Sequence, residues 1–276
     1  MSSENLQTDR SDASLNRALE VAKTAARKAA EVSMQHFMQP IEVERKADAS
    51  PVTEADRACE QLIRDLIQAE FPEHAIFGEE FGHSGTHRCL WLIDPIDGTR
   101  SFIRHLEFWS VQIALMVDET IVIGVSAAPP FDELAWAVKG QGAWIEPLAG
   151  SNEQAARRLQ VAETCEIDQM DWSLGNVRSL AKNPTHWSQV GALVERASRT
   201  RGYGDFYPYH RLAAGGLDVV VESDVNILDI AALSLIVEEA GGIMTALDGA
   251  PIGLGTRAVL AGTSALHQQL LEHFND

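Results

Sequence analysis

The spacing of apolar residues changes twice along this chain, and these changes limit the folds it can adopt. Residues 15–37 and 53–71 carry apolar side chains at helical spacing. Residues 75–138 instead carry short apolar or alternating runs bounded by Gly, Pro and Asp, a pattern typical of a sheet. Beyond Gly150, helical and strand patterns alternate. We therefore predict an α/β protein in which two helices precede a sheet and a mixed region follows.

The predicted second helix has clear start and stop signals. Thr53 stands three residues before Asp56, as in a capping box, and Pro72 ends the helical pattern. In the second half we predict helices at 186–198, 205–214, 229–240 and 264–274, with strands at 217–222, 243–246 and 258–261.

A polar stretch at residues 146–154 is the best candidate for a domain boundary. It predicts an N-terminal subdomain of residues 15–150 and a C-terminal subdomain of residues 151–276, after a flexible tail of residues 1–14. The same stretch also fits a surface loop within one domain.

The chain is strongly acidic. It holds 40 Asp and Glu residues against 22 Lys and Arg residues, a formal net charge of −18. This charge repels the phosphate backbone of nucleic acids and the anionic surface of membranes, so neither is an expected partner. An anionic substrate would require the charge to be reversed locally, and bound divalent cations are the simplest way to do so.

The cysteines indicate a reducing compartment. Cys59, Cys89 and Cys165 are odd in number and lack CxxC spacing, which disfavours a disulfide framework and a zinc site. Residues 1–14 lack the apolar core of a signal peptide, and no uncharged apolar run reaches the roughly 18 residues of a membrane span. We therefore expect a soluble, cytoplasmic protein.

The most informative segment is an apolar run that ends in two aspartates. Asp94 and Asp97 follow Trp91-Leu92-Ile93, and Pro95 restrains the backbone between them. Ligands collect at the carboxyl ends of strands in α/β sheets, and two converging carboxylates repel each other unless a cation lies between them. A hard, oxygen-liganded ion such as Mg²⁺ suits that position. Taken alone, the same residues are equally typical of a turn.

Further acids follow other apolar elements. Glu79 and Glu80 follow the apolar run 75–77, and Asp229 opens the helical pattern 229–240. Each has a structural alternative: Glu79 and Glu80 fit a solvated loop, and Asp229 fits the positive end of a helix. Together with the Asp94 segment, carboxylates that would otherwise be desolvated favour a metal cluster.

Gly98 and Thr99 directly precede a possible helix start at Arg100. Their backbone N–H groups and the Thr99 hydroxyl could hold an anionic oxygen. Beside a carboxylate-held pair of metal ions, they indicate phosphomonoester hydrolysis, in which two ions about 4 Å apart hold the attacking and leaving oxygens.

Four ordered motifs across residues 15–275 resemble the signatures of the inositol monophosphatase family of Mg²⁺-dependent, lithium-sensitive phosphatases. They are Lys46-x-Asp48-x-Ser50-Pro51-Val52-Thr53-x-Ala55-Asp56, Gly78-Glu79-Glu80, Asp94-Pro95-Ile96-Asp97-Gly98-Thr99, and Asp229-Ile230-Ala231-Ala232 followed by Glu239-Ala240-Gly241-Gly242. Within that family the chain is most similar to the histidinol-phosphate phosphatase branch, through residues 71–74 leading into 78–82, Arg100, and residues 201–206. The resemblance implies an α-β-α-β-α layered fold, of the inositol monophosphatase and fructose-1,6-bisphosphatase type, and a homodimer.

The resemblance also implies a set of metal ligands, for two or three Mg²⁺ ions in each site. Glu79, Asp94 and the Ile96 carbonyl would hold the first ion. Asp94, Asp97 and Asp229 would hold the second, and Glu79 would help to hold a weaker third.

The remaining implied roles concern water and phosphate. Thr99, hydrogen-bonded to Asp56, would orient and help to deprotonate the attacking water, and Gly98 with Thr99 would hold the phosphate. One departure is Leu228, because the family usually has Trp directly before the last metal aspartate. Asp229 itself is retained, so we expect metal binding to survive and the nearby helix packing to differ.

Histidinol phosphate carries an amine cation and an imidazole, so its pocket should contain an acid beyond the metal ligands. Asp205 and Glu222 both qualify, and Glu222 matches the position that contacts the alcohol in the wider family. Asp205 could instead cap the helix that follows it. The aromatic residues at 203, 206, 207 and 209 fit either stacking on the imidazole or burial in the core.

The sequence therefore predicts a small-molecule phosphatase that hydrolyses L-histidinol phosphate in histidine synthesis. One alternative is an inositol monophosphatase or a broad sugar-alcohol phosphatase. An alternative of another class is a non-catalytic binding protein on the same scaffold, which would have no need of so many desolvated carboxylates. His83 and His87 are spaced i, i+4, but Gly and Ser between them predict a loop rather than a metal site.

Overall fold

The computed structural model describes residues 12–40, 42–45, 51–150 and 155–275. Lys46, Asp48 and Ser50 of the first motif lie outside these residues. Two long helices, α1 (Asp12–Phe37) and α2 (Glu54–Glu70), form the first layer. Helix α1 therefore begins at Asp12, inside the segment predicted as a tail, and residues 1–11 lie outside the described part. A short hairpin of β1 (Val43–Arg45) and β2 (Pro51–Thr53) leads into α2.

The second layer is an eight-stranded sheet. Its strands are β3 (Ala75–Gly78), β4 (Gly82–Ser84), β5 (Cys89–Asp97), β6 (Ser110–Val117), β7 (Thr120–Ala128), β8 (Glu133–Val138), β9 (Gly142–Pro147) and β10 (Arg157–Arg158). Their spatial order is β10-β9-β8-β7-β6-β5-β3-β4, and all neighbours are antiparallel except β3 and β5. Small alanines on α1 and the apolar face of α2 cover one side of this sheet, which buries the largest core cluster.

The other side of the sheet is covered by two helices of the second half. These are α6 (Tyr207–Ala213) and α7 (Ile227–Glu239), and they pack in one apolar cluster with the sheet. Helix α7 is apolar on nearly all sides, as expected for a helix enclosed between two layers. Leu228 is buried in this cluster, so a smaller apolar side chain fills the position where the family usually has Trp.

A five-stranded sheet and two outer helices complete the layers. Its strands are β11 (Asp171–Gly175), β12 (Arg199–Arg201), β13 (Val219–Ser223), β14 (Ile243–Ala246) and β15 (Ala258–Gly262). They lie in the order β12-β11-β13-β15-β14. On the outer side of the sheet lie α5 (Pro184–Arg196) and α8 (Ser264–Asn275). Two one-turn helices, α3 (Thr99–Phe102) and α4 (Val177–Leu180), follow β5 and β11. The architecture is the predicted α-β-α-β-α sandwich. The division into two subdomains near residue 150 stays a prediction, and one apolar core cluster contains residues from both sides of that boundary.

Several predicted boundaries shift for local reasons. The helix predicted at 205–214 is shorter because Asp205 adopts a left-handed backbone, with φ of 55°. The helix predicted to open at Asp229 begins at Ile227, because Asn226 caps it and accepts a hydrogen bond from the Leu228 N–H at 2.7 Å. Within the described residues, no helix combines the length and apolarity needed to cross a bilayer.

Candidate active site

Three carboxylates from two layers converge at one point. Asp94 and Asp97 lie at the carboxyl end of β5, and Asp229 lies in the first turn of α7. One oxygen from each lies within 4.8 Å of the others. Residues three apart on a regular strand face opposite sides of the sheet, but the pairing of β5 with β6 is irregular between Asp94 and Asp97. The irregularity at this Asp-Pro-Ile-Asp segment lets both side chains face Asp229.

Glu79 joins the cluster from the neighbouring strand. Strands β3 and β5 run parallel with Gly78 beside Ile93, so their carboxyl ends lie side by side. The Glu79 N–H continues the ladder by donating to the Ile93 carbonyl at 3.2 Å. Its carboxyl group lies within hydrogen-bonding distance of Asp94. The predicted grouping of Glu79, Asp94, Asp97 and Asp229 is therefore present as geometry, and their roles as ligands stay predictions.

The cluster is electrostatically strained when no cation is present. Burial, and then the charges of neighbouring carboxylates, raise the pKa values of Asp94 and Asp97 well above their usual range. Burial also raises the pKa of Asp229 to about 7. Bound cations would relieve the repulsion, and a set of carboxylate oxygens suits a hard divalent ion such as Mg²⁺. The residues present therefore fit the metal ions that the family resemblance implies.

Asp56 and Thr99 meet beside the cluster. Thr99 Oγ1 lies 3.1 Å from the Ile96 carbonyl and 3.4 Å from Asp56 Oδ1, so its single proton has two acceptors within reach. The other Asp56 oxygen accepts from the Thr53 N–H at 2.7 Å and from the Thr53 hydroxyl at 2.5 Å. Asp56 thus closes the predicted capping box and also contacts Thr99, so the two interpretations of this residue are compatible.

Gly98 shapes the approach to Thr99. Its φ of 89° places it in the left-handed region, and a Cβ there would lie 2.7 Å from the Phe108 carbonyl oxygen. The same Cβ would lie 3.3 Å from Asp205 Oδ2, so Asp205 borders the position predicted to hold phosphate.

Asp205 and Glu222 form an acidic wall next to the carboxylate cluster. The Asp205 N–H hydrogen-bonds to Glu222, and Glu222 Oε2 accepts from the Tyr209 hydroxyl at 2.8 Å. Burial raises the pKa of Glu222 to about 8 and that of Asp205 to about 6, although a hydrogen bond from Ser101 lowers the latter. Both acids line a cavity of about 30 Å³ together with Asp97 and Asp229. Asp205 does not cap α6, whose N-cap position is occupied by residue 206.

The aromatic residues around Asp205 divide into two groups. Phe206 and Tyr209 are fully buried in the core. Tyr203 and Tyr207 are half-buried, lie 5.3 Å apart between ring centroids, and adjoin Phe108. Of these four residues, only the second pair keeps exposed ring surface, and it lines a cavity with Arg201 and Arg211 rather than the one bordered by Asp205 and Glu222.

The histidines near β4 do not form a convincing cation site. His83 lies in β4, so the prediction of a loop is wrong there, while His87 lies in the loop that follows. His74, His87 and Cys89 each offer an atom within 4.8 Å of the others. However, the two imidazoles stack at an angle of 14°, so their in-plane lone pairs do not converge. Each Nδ1 also accepts an N–H already, from Trp91 Nε1 and from the Cys89 backbone, both at 3.1 Å.

A hydrogen-bonded network of buried polar side chains lies behind Asp97 and was not predicted from the sequence. Ser110 Oγ donates to Asp97 Oδ2 at 3.4 Å, and Gln112 Nε2 donates to Ser110 Oγ at 2.8 Å and to Ser126 Oγ at 3.1 Å. Polar residues two apart in an otherwise apolar strand share one face, and Gln112 pairs with Ser126 across the ladder. The alternation of polar and apolar residues at the start of β6 is the sequence signal from which this network could have been predicted.

The hydrogen-bonded network behind Asp97 continues to the protein surface through His210. Ser126 Oγ lies 2.8 Å from His210 Nε2, and His210 Nδ1 lies 3.1 Å from Glu133 Oε2. Burial lowers the pKa of His210, which favours the neutral ring. Because a carboxylate only accepts, Nδ1 carries the proton toward Glu133 and Nε2 accepts from Ser126. Arg211 pairs with Glu133 at the outer end.

Comparisons with known proteins agree with this geometry. Residues 14–276 match the inositol monophosphatase family. The chain is 35% identical over 268 residues to a histidinol-phosphatase of Streptomyces coelicolor, covering 93% of this chain and 96% of that protein. It is 36% identical over 236 residues to a histidinol-phosphatase of Mycobacterium tuberculosis, covering 85% of this chain and 88% of the other.

The fold is also similar to solved structures. The crystal structure of the extragenic suppressor protein SuhB from Bartonella henselae superposes with a TM-score of 0.83 at 26% identity, covering 94% of this chain and 99% of that one. Sequence, layered fold and carboxylate cluster lead to the same conclusion: this chain is a phosphatase of the inositol monophosphatase family.

Proposed function

We propose that this protein is a Mg²⁺-dependent phosphomonoesterase that hydrolyses L-histidinol phosphate to L-histidinol and phosphate, in histidine biosynthesis. The observation that carries the substrate assignment is the acidic wall of Asp205 and Glu222 beside the metal cluster. The substrate offers an ammonium and an imidazole to such a wall, whereas inositol phosphate offers only hydroxyl groups.

The residues of the carboxylate cluster are the proposed metal ligands. Glu79, Asp94, Asp97, Asp229 and the Ile96 carbonyl would hold two or three Mg²⁺ ions. When bound, these ions supply charge neutralisation for the phosphoryl group and acidify the attacking water. Raised carboxylate pKa values in the free site mean that metal loading displaces protons from it.

Thr99 and Asp56 would orient the nucleophile. The Thr99 hydroxyl can accept a hydrogen bond from the attacking water while it donates its own proton to Asp56 or to the Ile96 carbonyl, which lie 3.4 and 3.1 Å away. Because Asp56 already accepts two bonds from Thr53, its carboxylate is held in one rotamer. Proton release from the water toward Thr99 and Asp56 then needs no large movement.

The alcohol portion would lie toward the wall. Glu222 is held by Tyr209 and by the Asp205 N–H, and Asp205 lies next to Gly98 where the phosphate is expected. A cationic substrate stabilises the charged forms of both acids and lowers their raised pKa values. The half-buried rings of Tyr203 and Tyr207 line a separate cavity with Arg201 and Arg211, so the proposed contact of the substrate with the wall depends on the two acids rather than on these rings.

The first test compares phosphate release from histidinol phosphate and from inositol 1-phosphate under identical conditions. We expect kcat/KM to favour histidinol phosphate by about 10- to 100-fold, because inositol offers the wall only neutral hydroxyl donors, whereas the ammonium group adds a charge-assisted hydrogen bond. Activity should be lost with EDTA and inhibited by lithium. Preference for inositol phosphate would leave the metal chemistry standing and refute the substrate, and no release from either would favour the binding-protein alternative.

Asp205→Asn tests the wall directly. We expect kcat/KM for histidinol phosphate to fall about 10- to 100-fold, the value of one charge-assisted hydrogen bond, with little change for inositol 1-phosphate. Asp224→Asn is a matched control, because Asp224 is exposed and shares a left-handed backbone, with φ of 61° against 55° for Asp205. Equal losses on both substrates would contradict a role in selecting the cation.

We also propose a homodimer in the cytoplasm. The three cysteines, all within the described residues, form no disulfide, which accords with a reducing compartment. Sedimentation of the purified protein would give the number of subunits.

A further inference from the structure

Glu60 is a fully buried carboxylate outside the metal cluster, and it holds the turn that carries Glu79. It is 0% exposed. Its Oε2 accepts from the Glu80 N–H at 2.6 Å, and its Oε1 accepts from the Phe81 N–H at 3.2 Å. A carboxylate with two backbone donors from consecutive residues fixes the path of that backbone.

Arg64 supports the same carboxylate and extends the contact. Its Nε donates to Glu60 Oε1 at 2.7 Å, and its Nη1 donates to Ser84 Oγ at 3.0 Å. Its Nη2 donates to the Gly82 carbonyl. Each guanidinium nitrogen and each carboxylate oxygen of this buried ion pair therefore has a hydrogen-bond partner, the condition under which such a pair is tolerated in a core.

Gly78 allows this close approach. A Cβ at position 78 would lie 2.0 Å from Glu60 Oε1, which is far inside van der Waals contact. The backbone directly before Glu79 is thus pressed against the Glu60 carboxylate, and no larger residue fits there without displacing it.

Glu60 also shares a helix face with Asp56. Residues four apart on α2 lie one above the other. Asp56 reaches Thr99, and Glu60 reaches the turn at Glu79–Phe81, so one face of one helix contacts both sides of the metal cluster.

We propose that Glu60 is a positioning residue for the metal site: its buried carboxylate holds the turn after β3 so that Glu79 faces Asp94. This inference rests on the proposed function for the purpose of the metal site, and its consequence is measurable as metal affinity without any turnover.

The test is Glu60→Gln, with Mn²⁺ as the probe and loss of the free-ion EPR signal as the readout. Glutamine keeps the size, but its amide presents a donor to a site where the N–H groups of Glu80 and Phe81 and Arg64 Nε all donate. The turn should shift, and the dissociation constant for Mn²⁺ should rise about 10- to 100-fold, as for other residues that orient a metal ligand. The Mg²⁺ concentration for half-maximal activity should rise in parallel, while kcat at saturating Mg²⁺ recovers most of its value.

A matched control separates positioning from general destabilisation. Asp218 is also a buried carboxylate that accepts a backbone N–H, from Asp171 at 2.7 Å, but it stands at the other end of β13 from Glu222. Asp218→Asn should lower the melting temperature without changing the affinity for Mn²⁺. If Glu60→Gln fails to fold, Arg64→Lys keeps the charge, loses the planar fork and should give a smaller shift in the same direction.

The outcomes are distinguishable. Unchanged Mn²⁺ affinity in folded Glu60→Gln, or an equal loss in Asp218→Asn, would overturn the positioning role. A wild-type protein that binds Mn²⁺ yet hydrolyses neither substrate would instead contradict the proposed function, and the effect of Glu60 on Mn²⁺ affinity would still decide the present inference.

Discussion

Asparagine in place of Asp94 should abolish most turnover while leaving the fold intact. Asp94 is central in the cluster, because it contacts both Glu79 and Asp229, and the resemblance implies that it serves two ions. Replacing even an outer partner of a metal ligand costs about 10- to 100-fold in affinity or activity, so loss of a shared ligand should exceed about 10²-fold.

The measurement is phosphate release at several Mg²⁺ concentrations, with circular dichroism to check the fold. Because asparagine is isosteric and removes one of several repelling charges, the metal-free variant should unfold at a higher temperature than the metal-free wild type at neutral pH. Asp224→Asn again provides an exposed control. Full turnover in Asp94→Asn would show that the cluster is not the catalytic site.

The second large effect concerns the stability of the metal-free protein. The folded-state pKa values of Asp205, Glu222 and Asp229 are about 6, 8 and 7, and those of Asp94 and Asp97 are also raised. Unfolded carboxyl groups titrate near pH 4. Between about pH 4 and about pH 8 these five groups bind more protons in the folded state than in the unfolded state, which lowers the free energy of unfolding as the pH rises. The lowered pKa values of His210, His267 and Glu133 act in the opposite direction, but they are fewer.

In EDTA, the melting temperature should thus be several degrees higher at about pH 5 than at about pH 8, since each kcal/mol moves it by about 2–4 °C in a large domain. Saturating Mg²⁺ should remove most of this dependence, because the ions replace the protons in the cluster. Differential scanning calorimetry at both pH values, with and without Mg²⁺, gives the answer. A metal-free protein whose melting temperature rises with pH through this window would contradict the electrostatic description of the site.

Local sequence patterns predicted much of this structure because they report on local physics. Residues close together in the sequence determine both the capping box of Thr53 and Asp56 and the strand that ends at Asp97. The strands with weak or polar patterns, such as Asp171–Gly175, were not predicted, because pairing on both sides by β12 and β13 stabilises them rather than their own composition.

The candidate site was likewise predictable from the sequence only in part. The carboxylates could be singled out because each follows an apolar element, but their convergence depends on the irregularity in β5 and on the packing of α7 against the sheet. Glu60 shows what the sequence cannot predict. In the sequence it is one more acidic residue on an amphipathic helix, and its contacts with the turn become visible only in the folded structure.

Under the proposed roles, the layers of the fold separate hydrolysis from the choice of substrate. Glu79, Asp94 and Asp97 extend from the eight-stranded sheet, whereas Glu222 extends from the five-stranded sheet and Asp205 from the loop before α6. Under the proposed roles, a new substrate requires changes around Asp205 and at Glu222, whereas His210 between them has to stay, because it joins the hydrogen-bonded network behind Asp97. For protein engineers, residues 203–206 and Glu222 are therefore the positions to randomise when a phosphatase with a different choice of alcohol is wanted.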